Sequence, residues 1–162
     1  MLGSDLCMDK NRSKQVWQSL GLPTAKYKIA DKRCFDAGSC SAIMDALGNE
    51  VMVKPAQEGS SIGMARVNSA LQLETAIQDA FKYDDQVLIE QFVDGTEYTV
   101  SILSGKALPS ISMSTPRIFY DYTAKYQADS TVYRCPSGLS NELEVMLGDL
   151  AIKAYQALDG SG

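Results

Sequence analysis

Between Gln86 and Met113 three runs with strand character, QVLIEQFV, TEYTVSIL and KALPSISM, follow one another, separated by DGT and SGK. Asp-Gly and Ser-Gly pairs supply the positive backbone angles of tight hairpin turns, so this stretch predicts an antiparallel meander. Helix-type patterns lie on either side. Lys10–Leu20 follows Asp9 as an N-cap and stops at Gly21-Leu22-Pro23. Ser69 caps a helix through about Lys82, whose Leu73, Ala76, Ile77, Ala80 and Phe81 form a one-sided apolar stripe. A last helix from Asn141 to Leu158 carries Leu143, Leu147, Leu150, Ala154 and Leu158. Strands are expected at Thr24–Ala30, in VMVKP and in MARV, with a short helix at Ser41–Leu47. Strands and helices are segregated, which predicts an α+β fold of antiparallel sheet with helices on one face. A boundary near residues 83–86 would divide the chain into two small subdomains, 1–83 and 84–162.

The bulk chemistry narrows the possible functions. The 162 residues carry a net charge of −5, which argues against a broad nucleic-acid surface or an anionic membrane as partner. No apolar run approaches a membrane span of roughly 20 residues, and MLGSDLCMDKNRSK lacks the apolar core of a signal peptide, so a cytoplasmic protein is expected. There is no histidine, and Cys7, Cys34, Cys40 and Cys135 form no CxxC pair. Ser-His and Cys-His nucleophile arrangements are therefore excluded, and a thiolate zinc site is disfavoured. Chemistry must rest on Lys, carboxylates, Tyr, Ser, backbone groups and metal.

Four stretches can carry such chemistry, and each also has a purely structural explanation. In KPAQEGSSIGMARV, Lys54 ends an apolar run and precedes a Gly/Ser loop. A Walker loop places its lysine after the glycines, so this is not one. The segment is either a plain hairpin with an exposed lysine or a loop whose N–H groups, with Ser60 and Ser61, cradle phosphates. Glu90 and Glu97 flank a turn in LIEQFVDGTEYTV, as surface charges or as ligands of an adenosine. The tyrosine-rich FYDYTAKY, with Lys125 beside Tyr126, is a self-packed loop or a lid that excludes water. In MDKNRSK, Lys10 and Lys14 share one helix face, open to solvent or to an anion at the helix start.

Taken in order, MDK-x-RSK, VMVKPAQEGSSIGM, VLIEQFVDGTEYTV, FYDYTAKY and YRCPSGLS resemble the D-alanine–D-alanine ligases of the ATP-grasp superfamily, over nearly the whole chain. The resemblance implies that ATP lies between two α+β subdomains. It implies phosphate contacts for Lys10 and Lys54, and a serine loop formed by Ser60 and Ser61, the second also tied to the substrate side. Glu90, Gln91, Phe92 and Val93 match the adenine-holding segment, Glu97 the ribose ligand, Lys125 the lid lysine and Tyr126 the lid tyrosine. The family often has Lys-Trp where this chain has Gln91-Phe92, a change that bears on local packing. The implied reaction joins two D-alanines through an acyl phosphate, with ATP and Mg2+ or Mn2+, for peptidoglycan. Ser61, Lys125 and Tyr126 would be its catalytic residues, in a homodimer when full length. Family members also have a domain before MDK and a later segment of Arg, Asp, Glu and Asn that holds metal and second substrate. The sequence is therefore expected to be a central portion without metal ligands, inactive alone. Ligases making D-alanyl-D-lactate or D-alanyl-D-serine, and a non-catalytic ATP-binding module, are the alternatives.

Overall fold

The computed structural model describes residues 2–115, 125 and 131–160. The chain packs as two units. One comprises Met8–Asn11 and Thr24–Asp94, the other Met1–Cys7, Arg12–Pro23 and Gly95–Gly162. The first is built on a four-stranded antiparallel sheet, and the second contains a three-stranded one.

The four-stranded unit contains β1 (Tyr27–Asp31), α3 (Cys40–Leu47), β2 (Val51–Pro55), β3 (Ala65–Val67), α4 (Ala70–Ala80) and β4 (Gln86–Gln91). Two helices precede it in the chain, α1 (Leu2–Met8) and α2 (Lys10–Ser19). The strand order is β1-β4-β2-β3. Strand side chains alternate between faces. The register aligns Val53 with Ile89 and Ala65, and Val51 with Val67, so these residues share one face. That face closes against α3 and α4, where Cys40, Leu47, Leu73, Ile77, Ala80 and Phe81 complete a buried core. Burying each large apolar side chain contributes about 1.5–3 kcal/mol. Ser69 accepts from the Gln72 N–H and starts α4, as its sequence predicts. The whole predicted stripe of that helix is buried.

The expected division at residue 83–84 differs from the one observed. β4 pairs with both β1 and β2, so it belongs to the sheet of the earlier residues, and the break falls after Asp94. The same pairing corrects the meander. Both edges of β4 are occupied, which leaves none for β5 (Glu97–Thr99), and β5 pairs with β8 (Ile111–Ser114). SGK does form a hairpin, between β6 (Ile102–Leu103) and β7 (Lys106–Ala107). Ser104 and Gly105 supply its two positive φ angles, 50° and 73°.

The three-stranded sheet runs β5-β8-β9, with β9 at Val132–Arg134, and α5 spans Asn141–Ala157. Leu143 is 42% exposed, so it is not part of a core stripe, and Val145 and Met146 are exposed beside it. α1 has no counterpart among the expected elements. A Cβ on Gly3 would stand 2.6–2.7 Å from the carbonyl oxygens of Asp159 and Leu158, so the glycine lets this short helix pack against the end of α5.

A buried polar cluster ties α5 to the sheet. The Ser110 and Ser137 hydroxyls each donate to Glu144 Oε1 at 2.7 Å, and the Ser110 N–H donates to its Oε2 at 3.1 Å. These donors hold the Glu144 carboxyl below its ordinary pKa. A depressed carboxylate pKa stabilises the fold above the unfolded value, and that contribution is lost as pH falls through the folded value. Glu144→Gln is therefore expected to lower the melting temperature at pH 7, with the gap to the parent shrinking below about pH 4. A gap that is constant from pH 7 to pH 3 in thermal melts would contradict this.

Candidate functional site

Because Val51, Val53 and Pro55 point toward the helices, Met52 and Lys54 point to the opposite face of the sheet. Register places Met52 beside Glu90 and Lys54 beside Leu88 on that face. Lys54 and Glu90 are thus diagonal neighbours, and they form a half-buried ion pair. Met52 and Leu88 are both buried. A charge in such surroundings needs a partner, since low local polarity strengthens attraction and penalises isolation alike.

The second lysine arrives from α2. The Lys10 backbone N–H donates to the Ala56 carbonyl at 2.9 Å. Its ammonium donates to the carbonyls of Pro55 at 3.1 Å, Ala56 at 3.4 Å and Glu58. Burial, and after it the charge of Lys54, lowers the Lys10 pKa. Two ammonium groups therefore sit at the start of the Gly/Ser loop and repel each other. An anion placed between them would relieve that repulsion.

The loop is a shaped turn. Ser60 and Ser61 have φ of 53° and 60°, and the Ile62 N–H donates to the Gly59 carbonyl at 3.1 Å. Non-glycine residues in this left-handed region each cost about 1 kcal/mol or more, and such strain concentrates at binding sites. Gly63 follows with φ of 67°. A Cβ there would stand 2.7 Å from the Tyr83 ring and 2.9 Å from Pro55 Cγ. The strand–loop–strand is thus present, and Lys54 beside it is half-buried against Glu90, not exposed as the plain-hairpin reading has it.

Beyond Glu90 the strand end is braced from within. The Gln91 N–H donates to Lys26 O at 2.9 Å and the Phe92 N–H to Glu50 O at 3.0 Å. Arg66 lies 3.8 Å above the Phe92 ring and pairs with Glu50. These two backbone donors are engaged, and Val93 beyond them is 69% exposed.

The structure thus brings together Lys10, Lys54, Ser60, Ser61, Glu90, Gln91, Phe92 and Val93 in one unit. Glu97, exposed on β5, and Lys125, half-buried, belong to the other unit. Tyr126 lies outside the described residues, as do Phe119, Tyr120 and Tyr122. Lys14 is buried, not on an exposed face with Lys10. Arg66, Tyr83 and Asp84, which touch the site's supports, carry no motif that singles them out. Only an Asp two residues before a strand hints at a turn role for Asp84. Among the described residues no group of three His, Cys, Asp or Glu side chains is arranged to hold a metal ion, and none of their helices is long and apolar enough to cross a membrane.

The chain has clear relatives among known proteins. Residues 16–162 match the family model described as D-ala D-ala ligase C-terminus. Over its full length the chain is 68% identical to the D-alanine–D-alanine ligase of Pseudoalteromonas atlantica and 49% identical to that of Idiomarina loihiensis, covering 51% and 52% of those proteins. It spans about half the length of the curated relatives it matches. The crystal structure of D-alanine–D-alanine ligase from Bacillus anthracis superposes with a TM-score of 0.82 at 34% identity, over 98% of this chain and 51% of that one. The same enzyme complexed with ATP gives 0.79 at 30% identity, over 98% and 48%.

Gly63→Ala is expected to destabilise the chain by about 1–3 kcal/mol, from the left-handed backbone and the collision with Tyr83 and Pro55. Gly59→Ala, which meets nothing within 4 Å, should stay within about 0.5 kcal/mol. Urea unfolding of both variants checks the contrast. Equal midpoints would show that Gly63 is not a required glycine.

Proposed function

The chain belongs to the D-alanine–D-alanine ligase C-terminal family, with the ATP-grasp fold, and from that premise we propose that it forms the nucleotide-binding part of an ATP-dependent D-alanine–D-alanine ligase. The observation that carries this is the meeting of Lys10, Lys54 and the Ser60-Ser61 turn on one sheet whose next strand presents Glu90. Two cations beside a turn of small residues suit a polyphosphate. A carboxylate one strand away suits the exocyclic amine of adenine, with Val93 at the ring edge and Glu97 at the ribose. The relative with ATP in its crystal supports the same ligand.

In the proposed reaction a D-alanine carboxylate oxygen attacks the γ-phosphorus, and the bond to ADP breaks. The amine of a second D-alanine then attacks the acyl carbon, inorganic phosphate leaves, and the amine gives up a proton. Lys54 and Lys125 offset charge on the phosphoryl group. Ser61 and Tyr126 close the site, because water reaching the acyl phosphate would waste ATP. Magnesium or manganese would supply further charge neutralisation. Among the described residues no three His, Cys, Asp or Glu side chains are arranged to hold such an ion. The whole enzyme would be a cytoplasmic homodimer.

D-Alanyl-D-serine synthesis is the second reading, favoured by likeness to the VanG D-Ala:D-Ser ligase of Enterococcus faecalis, with a TM-score of 0.79 at 27% identity. The 68% and 49% identities to D-alanine–D-alanine ligases favour the dipeptide.

Lys54→Met is expected to weaken ATP binding by the chain about 10- to 100-fold, the worth of one charge-assisted hydrogen bond to the phosphates. Isothermal titration with circular dichroism as a folding check reads it. Undiminished ATP affinity in a folded variant would remove Lys54 from the site.

A further inference from the structure

The turn that follows α4 touches the Gly/Ser loop at both ends. At the loop's start, Asp84 Oδ2 accepts from the Gln57 N–H at 2.7 Å, while Oδ1 accepts from the Gln86 N–H at 3.0 Å. One carboxylate thus joins the first residues of the loop to the first residue of β4. The Ala56 N–H donates to the Gln86 carbonyl at 2.9 Å and continues the same join. At the loop's far end the Tyr83 ring occupies the space over Gly63 that any side chain there would need. Tyr83 and Asp84 are themselves fixed, since their N–H groups donate to the Ala80 carbonyl at 3.0 and 3.2 Å. Ala80 is fully buried in the core at the end of α4.

We propose that Asp84 and Tyr83 are positioning residues for the phosphate-binding loop, Asp84 fixing its entry and Tyr83 its exit. The span between them, Glu58–Ile62, is then short and held at both ends, so the Ser60-Ser61 turn meets a ligand in a preset shape. A loop held at both ends loses less freedom when it binds, and that is where the gain in affinity arises. Asp84 also places negative charge near Lys10, which partly offsets the lowering of its pKa by burial and by Lys54. The consequence is selective. Removing the Asp84 acceptor should impair the grip on phosphates and spare the contacts to the nucleoside. The proposal rests on the nucleotide reading for its consequence and on geometry alone for the clasp.

The test uses Asp84→Asn, which keeps the size of the side chain and removes its charge and one acceptor. Amide hydrogen exchange is measured on parent and variant without ligand, and ATP and adenosine affinities are measured on both. Faster exchange is expected at residues 57–62, with α4 and β2 unchanged. ATP affinity should fall roughly ten-fold, with adenosine affinity altered less than about two-fold. Unchanged exchange at 57–62 would overturn the clasp, whatever the nucleotide does. Faster exchange with undiminished ATP affinity would overturn its role toward phosphate. Faster exchange in a chain that binds neither ligand even in its parent form would uphold the clasp and sink the nucleotide reading. Tyr83→Phe, which keeps the ring over Gly63, should behave as the parent, and Tyr83→Ala should speed exchange at 60–64. Parent-like exchange in Tyr83→Ala would remove Tyr83 from the proposal.

Discussion

The pairing of Lys54 with Glu90 depends on a two-residue period that the core imposes. Val51, Val53, Val87 and Ile89 are all buried against α3 and α4. Their burial fixes the register of β2 against β4, and a slip of one residue would send them to the other face. With register fixed, Lys54 and Glu90 have no choice of face. The core thus holds two charges in place with a precision that the flexible lysine stem could not supply alone. In the absence of ligand each charge satisfies the other. A nucleotide that takes both can exchange one set of contacts for another without leaving a buried charge alone.

The loop after β2 follows the same logic at smaller scale. Its two left-handed serines are costly in isolation, and they persist because neighbours on each side over-determine the backbone. Lys10 holds the carbonyls at its entry. Gly63 is seated beneath Tyr83 at its exit. The tip is short and the supports are rigid. That is the arrangement expected of a loop that must meet phosphate oxygens in one geometry.

Much of this was legible in the sequence, and the reasons differ by element. α4 was readable because its stripe and Ser69 cap are local signals, and both are found. The strand–loop–strand around Lys54 was readable from two apolar runs and their glycines. Partnership of β4 was not, because pairing with β1 and β2 is set by tertiary packing while DGT advertises a local hairpin. α1 leaves no clear signal in the sequence because Gly3 and Ser4 are weak helix formers, and the packing against Leu158 and Asp159 that accommodates the glycine involves residues more than 150 positions away in sequence. In the site, Lys10, Lys54 and Glu90 stood out through motif order. Asp84 and Tyr83 did not, since a clasp on a distant loop leaves no periodic trace.

The central claim is that the sheet face bearing Lys54 and Glu90 seats a nucleotide, with phosphates toward the serine turn. Backbone amide shifts of the nitrogen-15-labelled chain during an ATP titration test it most directly. Saturable shifts clustered at Lys54, at 58–63 and at 90–93, with adenosine alone moving only the last group, are the predicted result. Shifts that leave β2, the serine turn and β4 unmoved at saturating ATP would contradict it.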